Sequence, residues 1–183
     1  MRITVSMTSE KLCQAYAYPL LQLNPTSMKR NENIVPLSRD HHFGLLFCWK
    51  IREGLKRNVD PERIKRFIAY YWDHHFSRHF HEEETILFIL KDDPYCRRAR
   101  EEHKIIGQLV EDLAQPDSNT TLLQSIADMV DQHIRYEERE LFPYLEQTLT
   151  ENQLAAIGKE LEELHAEKPA DEYADEFWLK AKS

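Results

Sequence analysis

The chain has 183 residues, and 42% of them are hydrophobic, which is enough to bury one core of ordinary domain size. Its 24 basic and 32 acidic residues give a net charge of −8, which argues against nucleic acid as a partner because phosphate binding requires a basic face. The 3 cysteines form no CxxC pair, and no apolar run approaches the roughly 20 residues that span a bilayer. We therefore expect a cytoplasmic protein with neither a disulfide scaffold nor a membrane partner.

The first predicted helix follows a segment of weak periodicity. Residues 1–35 contain two prolines, with a third at residue 36, and no sustained apolar pattern, which predicts a loosely ordered extension. From Leu37 onward, inward residues recur at steps of three or four, as on one face of a helix. That face comprises Leu37, His41, Leu45, Cys48, Ile51 and Leu55.

Two Asp-Pro pairs mark the starts of the second and third helices. Asp60 precedes Pro61 and Asp93 precedes Pro94, so each Asp is placed to cap free amide groups while the proline fits the first helical turn. We expect the second helix to run to about Asp92.

The fourth and fifth helices follow a segment rich in turn-forming residues. The fourth is predicted from about Thr120 to Thr148 by its continuous apolar face. The fifth begins at Thr150, because Thr150 and Gln153 form a capping-box pattern, and it ends near His165.

The sequence therefore predicts an all-α fold. Four amphipathic helices with short connections favour an up-down-up-down four-helix bundle over residues 36–148. Residues 149–183 add a C-terminal helix and a tail. The tail is expected to pack through its aromatic residues, Tyr173, Phe177 and Trp178.

An internal repeat relates the two halves of this bundle. The pattern HxxxEExxLF occurs at residues 79–88 and again at residues 133–142. On the helix before each copy, an acidic residue precedes a histidine, at residues 40–41 and at residues 102–103. The core is therefore predicted to consist of two helix pairs of the same design.

Six polar residues fall on the inward helix faces, where core hydrophobes would normally lie. Burying carboxylates and imidazoles there without partners would cost roughly several kcal/mol for each charged group. Two divalent metal ions would remove this cost, with the carboxylates bridging them and the imidazoles completing their shells. Mixed histidine and carboxylate ligands suit iron or manganese. The predicted ligands are His41, His79, Glu83, His103, His133 and Glu137.

The remaining histidines leave alternatives open. His42 competes with His41 for the first ligand position, and His41 is preferred because it continues the apolar face and follows an aspartate. His75 lies one turn before His79, where it would fill a vacant ligand position, orient another ligand or contact water at the bundle end. Surface positions are expected for His74, His81 and His165.

These residues resemble the hemerythrin-like (HHE cation-binding) domains. The resemblance covers about residues 37–148 and rests on the order H…HxxxE…H…HxxxE and on the EExxLFP segment at residues 137–143. It implies a four-helix bundle with a non-haem di-iron centre, in which Glu83, Glu137 and an oxo or hydroxo group bridge two Fe ions. Manganese and zinc are the alternative metals. Members of the family bind or sense oxygen, handle iron, or respond to nitrosative and oxidative stress.

One position departs from the oxygen-carrying members of that family, which have a fifth histidine in an HxxxH pair on the third helix. Here residue 99, one turn before His103, is alanine. The resemblance therefore implies one fewer imidazole and a more open coordination, which disfavours simple reversible oxygen carriage.

Three functions follow as hypotheses. The first is a di-iron protein that binds or senses oxygen, nitric oxide or peroxide, or handles iron, and that signals to a separate redox or signalling protein. The second is a di-iron oxidoreductase acting on peroxide or nitric oxide, which the missing histidine modestly favours. The third is a structural helical bundle that holds a single metal ion or none.

Overall fold

The computed structural model describes residues 30–115, 118–165 and 173–179, and every regular element within these ranges is helical. The all-α prediction is therefore confirmed for this part of the chain. Most of the predicted N-terminal extension lies outside the described residues. Among the described helices, none combines the length and the apolar character needed to cross a membrane.

Within the described residues, five helices follow one another, close to the predicted positions. Two of them, α2 and α4, contain π-helical turns as well as α-helical stretches. A short 3-10 turn, Asp112–Ala114, follows α3. The helices are α1 Val35–Lys56, α2 residues 61–87, α3 Pro94–Glu111, α4 residues 120–148 and α5 Glu151–Leu164.

The predicted helix starts are confirmed by side-chain caps. The carboxylates of Asp60 and Asp93 accept hydrogen bonds from backbone amides at the starts of α2 and α3. Asn119 caps α4 in the same way. Thr150 and Gln153 form the reciprocal capping box at the start of α5. These caps satisfy amide groups that a helix otherwise leaves without partners.

Single π-helical turns interrupt the two helices that carry the repeat. They span Trp72–Phe76 and Glu83–Leu87 in α2, and Glu137–Leu141 in α4. Two of the three begin at a predicted bridging glutamate, at equivalent positions of the repeat. Turns of this type occur frequently at functional sites, because they change the direction of side chains without ending the helix.

The prediction that α2 runs to about Asp92 was wrong, because the helix ends at Leu87. Phe88 has non-helical dihedral angles (φ −83°, ψ 56°), and its amide closes the last π turn by donating to the Glu83 carbonyl at 2.8 Å. The Phe88 carbonyl in turn accepts a hydrogen bond from the Arg100 guanidinium at 2.8 Å. The helix end is therefore fixed by tertiary contacts that the apolar pattern does not encode.

The helix pair α1 and α4 forms the principal packing contact of the bundle, and α3 also packs along α4. Gly44 lies at the α1–α4 contact, where a Cβ atom would stand only 2.6 Å from Ile134 Cδ1. The absence of a side chain at this position therefore allows the two helices to approach closely.

Two apolar clusters lie on either side of the polar helix faces. The first includes Phe47, Phe67, Phe76, Phe80, Ile126 and Val130. The second includes Leu37, Leu87, Phe88, Phe142, Leu145 and Leu161. The His103 ring stacks on Phe80 of the first cluster, with centroids 4.0 Å apart, and lies 6.0 Å from Phe88 of the second. The polar residues are thus enclosed between two hydrophobic layers.

The C-terminal segment covers one end of the first cluster, as expected from its aromatic residues. Phe177 and Trp178 are buried and both contact the Phe67 ring, at centroid distances of 5.4 and 5.6 Å. The Lys50 ammonium lies 3.8 Å from the centre of the Trp178 ring, in cation–π geometry. This segment therefore belongs to the hydrophobic core.

Replacing Trp178 with alanine should lower the free energy of unfolding by roughly 3 kcal/mol, because a large buried aromatic side chain and its cation–π contact are lost. Urea denaturation monitored by circular dichroism measures this change. The neighbouring substitution Leu179→Ala is the control, since that side chain is 49% exposed and should change stability by less than about 0.5 kcal/mol. Equal effects of the two substitutions would contradict the packing role.

Candidate metal centre

The six residues predicted as metal ligands lie together at the centre of the bundle. α1 contributes one histidine, α3 contributes another, and α2 and α4 each contribute a histidine and a glutamate four residues apart. Residues at this spacing lie on the same helix face, which directs each pair inward. All six are buried, and the two glutamates, Glu83 and Glu137, have no exposed surface.

The Nε2 atoms of all four imidazoles face the two carboxylates. The shortest contacts are His41 Nε2 to Glu137 Oε2 at 3.1 Å, His133 Nε2 to Glu137 Oε2 at 3.2 Å, His103 Nε2 to Glu83 Oε2 at 3.3 Å and His79 Nε2 to Glu83 Oε1 at 3.4 Å. Each carboxylate is therefore shared by imidazoles from different helices.

Direct hydrogen bonding does not account for these contacts. Among the described residues, the four carboxylate oxygens of Glu83 and Glu137 find no well-aligned hydrogen-bond donor. The Nε2 atoms of His103 and His133 face each other at 3.1 Å, which sets two lone pairs against each other when both rings are neutral and protonated on Nδ1. Buried polar atoms in this state indicate a missing cationic partner.

A second carboxylate lies at the Nδ1 atom of each imidazole. The pairs are His41 with Glu138 at 2.7 Å, His103 with Glu84 at 2.8 Å, His133 with Glu102 at 2.9 Å and His79 with Asp40 at 3.4 Å. Such a partner keeps the proton on Nδ1, orients the ring and makes Nε2 the more basic ligand atom.

The supporting carboxylates follow the twofold internal repeat. Glu84 and Glu138 each come directly after a central glutamate and support a histidine on another helix. Asp40 and Glu102 each come directly before a central histidine and support the histidine of the following helix. Each dipeptide therefore provides one central residue and one supporting residue for a neighbouring helix.

These four supporting residues were missed by sequence reasoning, which assigned them no role. The internal repeat could have revealed them, because an acidic residue directly precedes or follows a central residue at four places, two in each half of the repeat. Helical spacing did not reveal their contacts, since each pair joins two different helices and depends on the packing between them.

The neighbouring imidazoles keep the central carboxylates ionised. Burial alone would raise the pKa of Glu83, but the charges of His79, His103 and His41 outweigh it and hold this pKa well below its usual value. For Glu137, burial and the nearby Glu83 charge both raise the pKa, while His133 and His41 lower it further than these raise it.

The pKa values of the imidazoles shift in the opposite direction, upward. Burial lowers the pKa of His133, but the charges of Glu137 and Glu102 outweigh it and raise this pKa to about 10. The pKa of His41 is likewise raised well above its ordinary value, against the effect of burial, by Glu137, Glu138 and Glu83. Without a metal ion, protons on the imidazoles therefore supply the positive charge that the carboxylates require.

The donor set fits two metal ions. The ligand atoms form two groups that share both glutamates, and within each group the atoms lie within 4.8 Å of one another. One group adds His41 and His79, and the other adds His103 and His133. Two imidazoles and two shared carboxylates per ion would give partners to His41 Nε2 and to the four carboxylate oxygens of Glu83 and Glu137 that lack hydrogen bonds.

The other predicted histidines lie outside these groups. His42 is exposed, so the structure does not bring it to the centre; one step along a helix turns a side chain by about 100°, away from the face that carries His41. His75 is half-buried and belongs to neither ligand group. The surface position predicted for His165 was wrong, because its side chain is only 8% exposed and contacts Glu82. The methyl group of Ala99 is fully buried.

A small cavity adjoins the centre on the α1–α2 side. Its volume is about 20 Å³, which suits one water molecule or one small ligand. The polar lining includes His41, His79 and His133 of the centre, together with His75. The remaining walls are largely apolar and include Phe43, Phe76, Phe80, Val130 and Ile134.

The comparisons with known proteins agree with this geometry. The family model of the hemerythrin HHE cation-binding domain matches residues 33–145, a range that includes all six central residues. No curated protein and no solved structure gives a significant match. Because the match covers more than half of the chain, the resemblance found in the sequence is confirmed, and the chain belongs to the hemerythrin HHE cation-binding domain family.

Proposed function

We propose that this protein holds two iron ions in a non-haem centre and uses them to bind or sense oxygen, nitric oxide or peroxide. The observation that carries the proposal is the convergence of four imidazole Nε2 atoms on two fully buried carboxylates that lack aligned hydrogen bonds within the described residues. In this proposal the four helices α1 to α4 run up-down-up-down, and Glu83 and Glu137 would each contribute to holding both ions.

The choice of iron rests on the chemistry of the ligands. Nitrogen and carboxylate donors without thiolate suit iron or manganese, and zinc accepts the same donors. Two histidines and two shared glutamates give each ion four protein donors. An ion that binds more than four donors would therefore have coordination positions left for an exogenous ligand. Iron in such a site would supply the electrons for oxygen or nitric oxide chemistry.

The chain's own residues would select the ligand by size and polarity. The cavity of about 20 Å³ has room for one small molecule, such as a diatomic ligand or a peroxide. Its apolar walls limit entry of water, while His75 offers a polar group beside the proposed ions. Asp40, Glu84, Glu102 and Glu138 hold the imidazoles in the orientation required for metal binding.

An oxidoreductase acting on peroxide or nitric oxide is the second candidate. The observation that favours it is the buried methyl group of Ala99, one turn before His103, where a further imidazole ligand would limit access to the ions. Repeated turnover under excess peroxide or nitric oxide would establish this function. A single stoichiometric reaction would support binding or sensing.

Either function would require a separate redox or signalling protein as a partner. We propose that this chain and that partner are both cytoplasmic. The support is the state of Cys48 and Cys96, which are buried free thiols. Burial raises the pKa of each thiol to about 12, so both resist oxidation, and neither forms a disulfide. Cys13 lies outside the described residues.

Protein purified without added metal should contain about two iron ions per chain and develop a near-ultraviolet charge-transfer band in air. The substitution Glu137→Gln should reduce the iron content to at most about one ion, because it removes one charge and one bridging oxygen from both ligand groups. Elemental analysis and optical spectra measure both effects.

The substitution His42→Ala is the matched control, since His42 adjoins His41 but is exposed. It should retain the wild-type iron content and spectrum. Zinc alone, or no metal and no response to added ferrous iron, would overturn the di-iron proposal and leave a structural helical bundle.

Loss of a supporting carboxylate should weaken metal binding without removing a ligand. We expect Glu84→Ala to reduce iron affinity by about 10- to 100-fold, because the His103 Nδ1–H then loses its charged acceptor at 2.8 Å. Competition with a chromophoric chelator measures the affinity. Glu160→Ala, which alters an exposed residue of α5, should leave it unchanged, and equal affinities of the two variants would contradict the supporting role.

The metal-free protein should lose stability as pH rises from about 6.5 to about 10. The pKa of His133 is about 10 in the folded chain and about 6.5 when unfolded, so its contribution is complete below the lower value and disappears through the higher one. Urea denaturation across this range, after chelator treatment, should show the decline.

The iron-loaded protein in the same buffers is the control for this pH dependence. Metal ions replace the imidazole protons, so its decline over the same range should be much smaller. Parallel declines in both forms would show that proton binding at the centre does not contribute to the stability of the metal-free chain.

A further inference from the structure

A second cluster of metal-ligating side chains lies outside the binuclear centre. It joins Asp40 of α1, Glu82 of α2 and His165, the residue that follows α5. His165 Nε2 lies 2.7 Å from Glu82 Oε2, and His165 Nδ1 lies 3.7 Å from Asp40 Oδ2. Each residue offers one ligand atom within 4.8 Å of the others.

This cluster is shielded from solvent although it contains two carboxylates. The side chains of Asp40, Glu82 and His165 are only 15%, 4% and 8% exposed. Arg78 Nε lies 3.2 Å from Glu82 Oε1 and balances one of the two negative charges. Asp40 Oδ1 is buried and accepts no hydrogen bond from any described residue. One negative charge therefore remains for a cation to neutralise.

The orientation of His165 also indicates that the cluster requires a positive charge. Both of its ring nitrogens face a carboxylate, so a neutral ring necessarily directs one lone pair toward a carboxylate oxygen. The arrangement is favourable only with an added positive charge, which either a proton on the ring or a metal ion among the three side chains supplies.

The cluster is also accessible to ions, unlike the fully buried glutamates of the centre. Asp40 and His165 line an open groove between the start of α1 and the exposed face of α5. The groove walls carry two further acidic residues, Glu32 and Glu162, and two basic residues, Arg39 and Lys159, so the lining has no excess of positive charge that would exclude a cation. Asp40 also lies 3.4 Å from His79 Nδ1, so the cluster and the centre share one carboxylate.

We propose that Asp40, Glu82 and His165 form an accessory site for a divalent transition-metal ion, separate from the binuclear centre. One imidazole and two carboxylates are ligands that Zn²⁺, Mn²⁺ and Fe²⁺ accept. Asp40 and His165 of this site line the groove, and His165, directly after α5, completes it. A bound ion thereby connects α5 to α1 and α2 beside the ligand His79.

Zinc titration of the chelator-treated protein tests this site. The wild type should bind one more equivalent of Zn²⁺ than His165→Gln, measured by calorimetry and by elemental analysis after desalting. His42→Gln is the matched control, because His42 lines the same groove but does not belong to the cluster; it should bind as much zinc as the wild type. Anomalous scattering at the zinc edge in crystals of the loaded protein should give a peak among Asp40, Glu82 and His165.

Equal zinc stoichiometry in the wild type and in His165→Gln, with no anomalous peak at the cluster, would overturn the proposal and assign His165 to an ion pair. Circular dichroism verifies that the variant is folded. If it is not, Glu82→Gln replaces it, and the same loss of one equivalent is expected.

The substitution Glu137→Gln separates this proposal from the binuclear one. It should remove zinc from the centre while retaining the accessory equivalent and its anomalous peak. If Glu137→Gln loses no zinc but His165→Gln does, the binuclear proposal fails and the accessory site stands. The reverse result supports the centre and rejects the accessory site.

Discussion

Two glutamates with no exposed surface lie at the centre of a bundle whose other inward residues are mostly apolar. Desolvating such carboxylates costs roughly several kcal/mol each, so the surrounding structure must supply positive charge. Four imidazoles do so, and each depends in turn on a supporting carboxylate at its other nitrogen. The centre therefore consists of three layers of alternating charge: the two central carboxylates, the four imidazoles and the four supporting carboxylates. The burial of the two central carboxylates makes the two outer layers necessary. Either protons on the imidazoles or two divalent metal ions between the rings can supply this positive charge.

The internal repeat builds these layers of charge from few residues. A central residue and a supporting residue are adjacent in sequence, yet the supporting one acts on a different helix. No helix of α1 to α4 can therefore form its part of the centre alone, and the histidine that α1 supplies is supported from α4. In the repeat, the π-helical turns begin only at Glu83 and Glu137. The α-helical spacing that places each glutamate on the face of the preceding histidine is therefore kept, and the residue after the glutamate points in a different direction, toward another helix.

The sequence predicted those features that depend on local spacing. The four-residue interval placed His79 with Glu83 on one face, and caps at Asp60 and Asp93 predicted two helix starts. The continuous apolar face likewise favoured His41 over His42. Features that arise from packing between helices were not predictable in this way. The π turns, the early end of α2, the four supporting carboxylates and the contact of His165 with Glu82 all depend on residues distant in sequence.

The two halves of the repeat are not equivalent, and their difference bears on where an exogenous ligand would enter. Glu102 reaches His133 at 2.9 Å, whereas the shorter Asp40 lies 3.4 Å from His79 and also faces His165. The weaker contact leaves His79 less firmly oriented than its counterpart. The small cavity lies mainly against this half, with His41 and His79 in its lining and, of the central histidines in the other half, only His133. An ion held by His41 and His79 would therefore have the less firmly oriented ligand and two of the three central histidines that line the cavity. The departure from twofold symmetry thus distinguishes the two halves of the proposed centre by the support of one imidazole and by their share of the open volume.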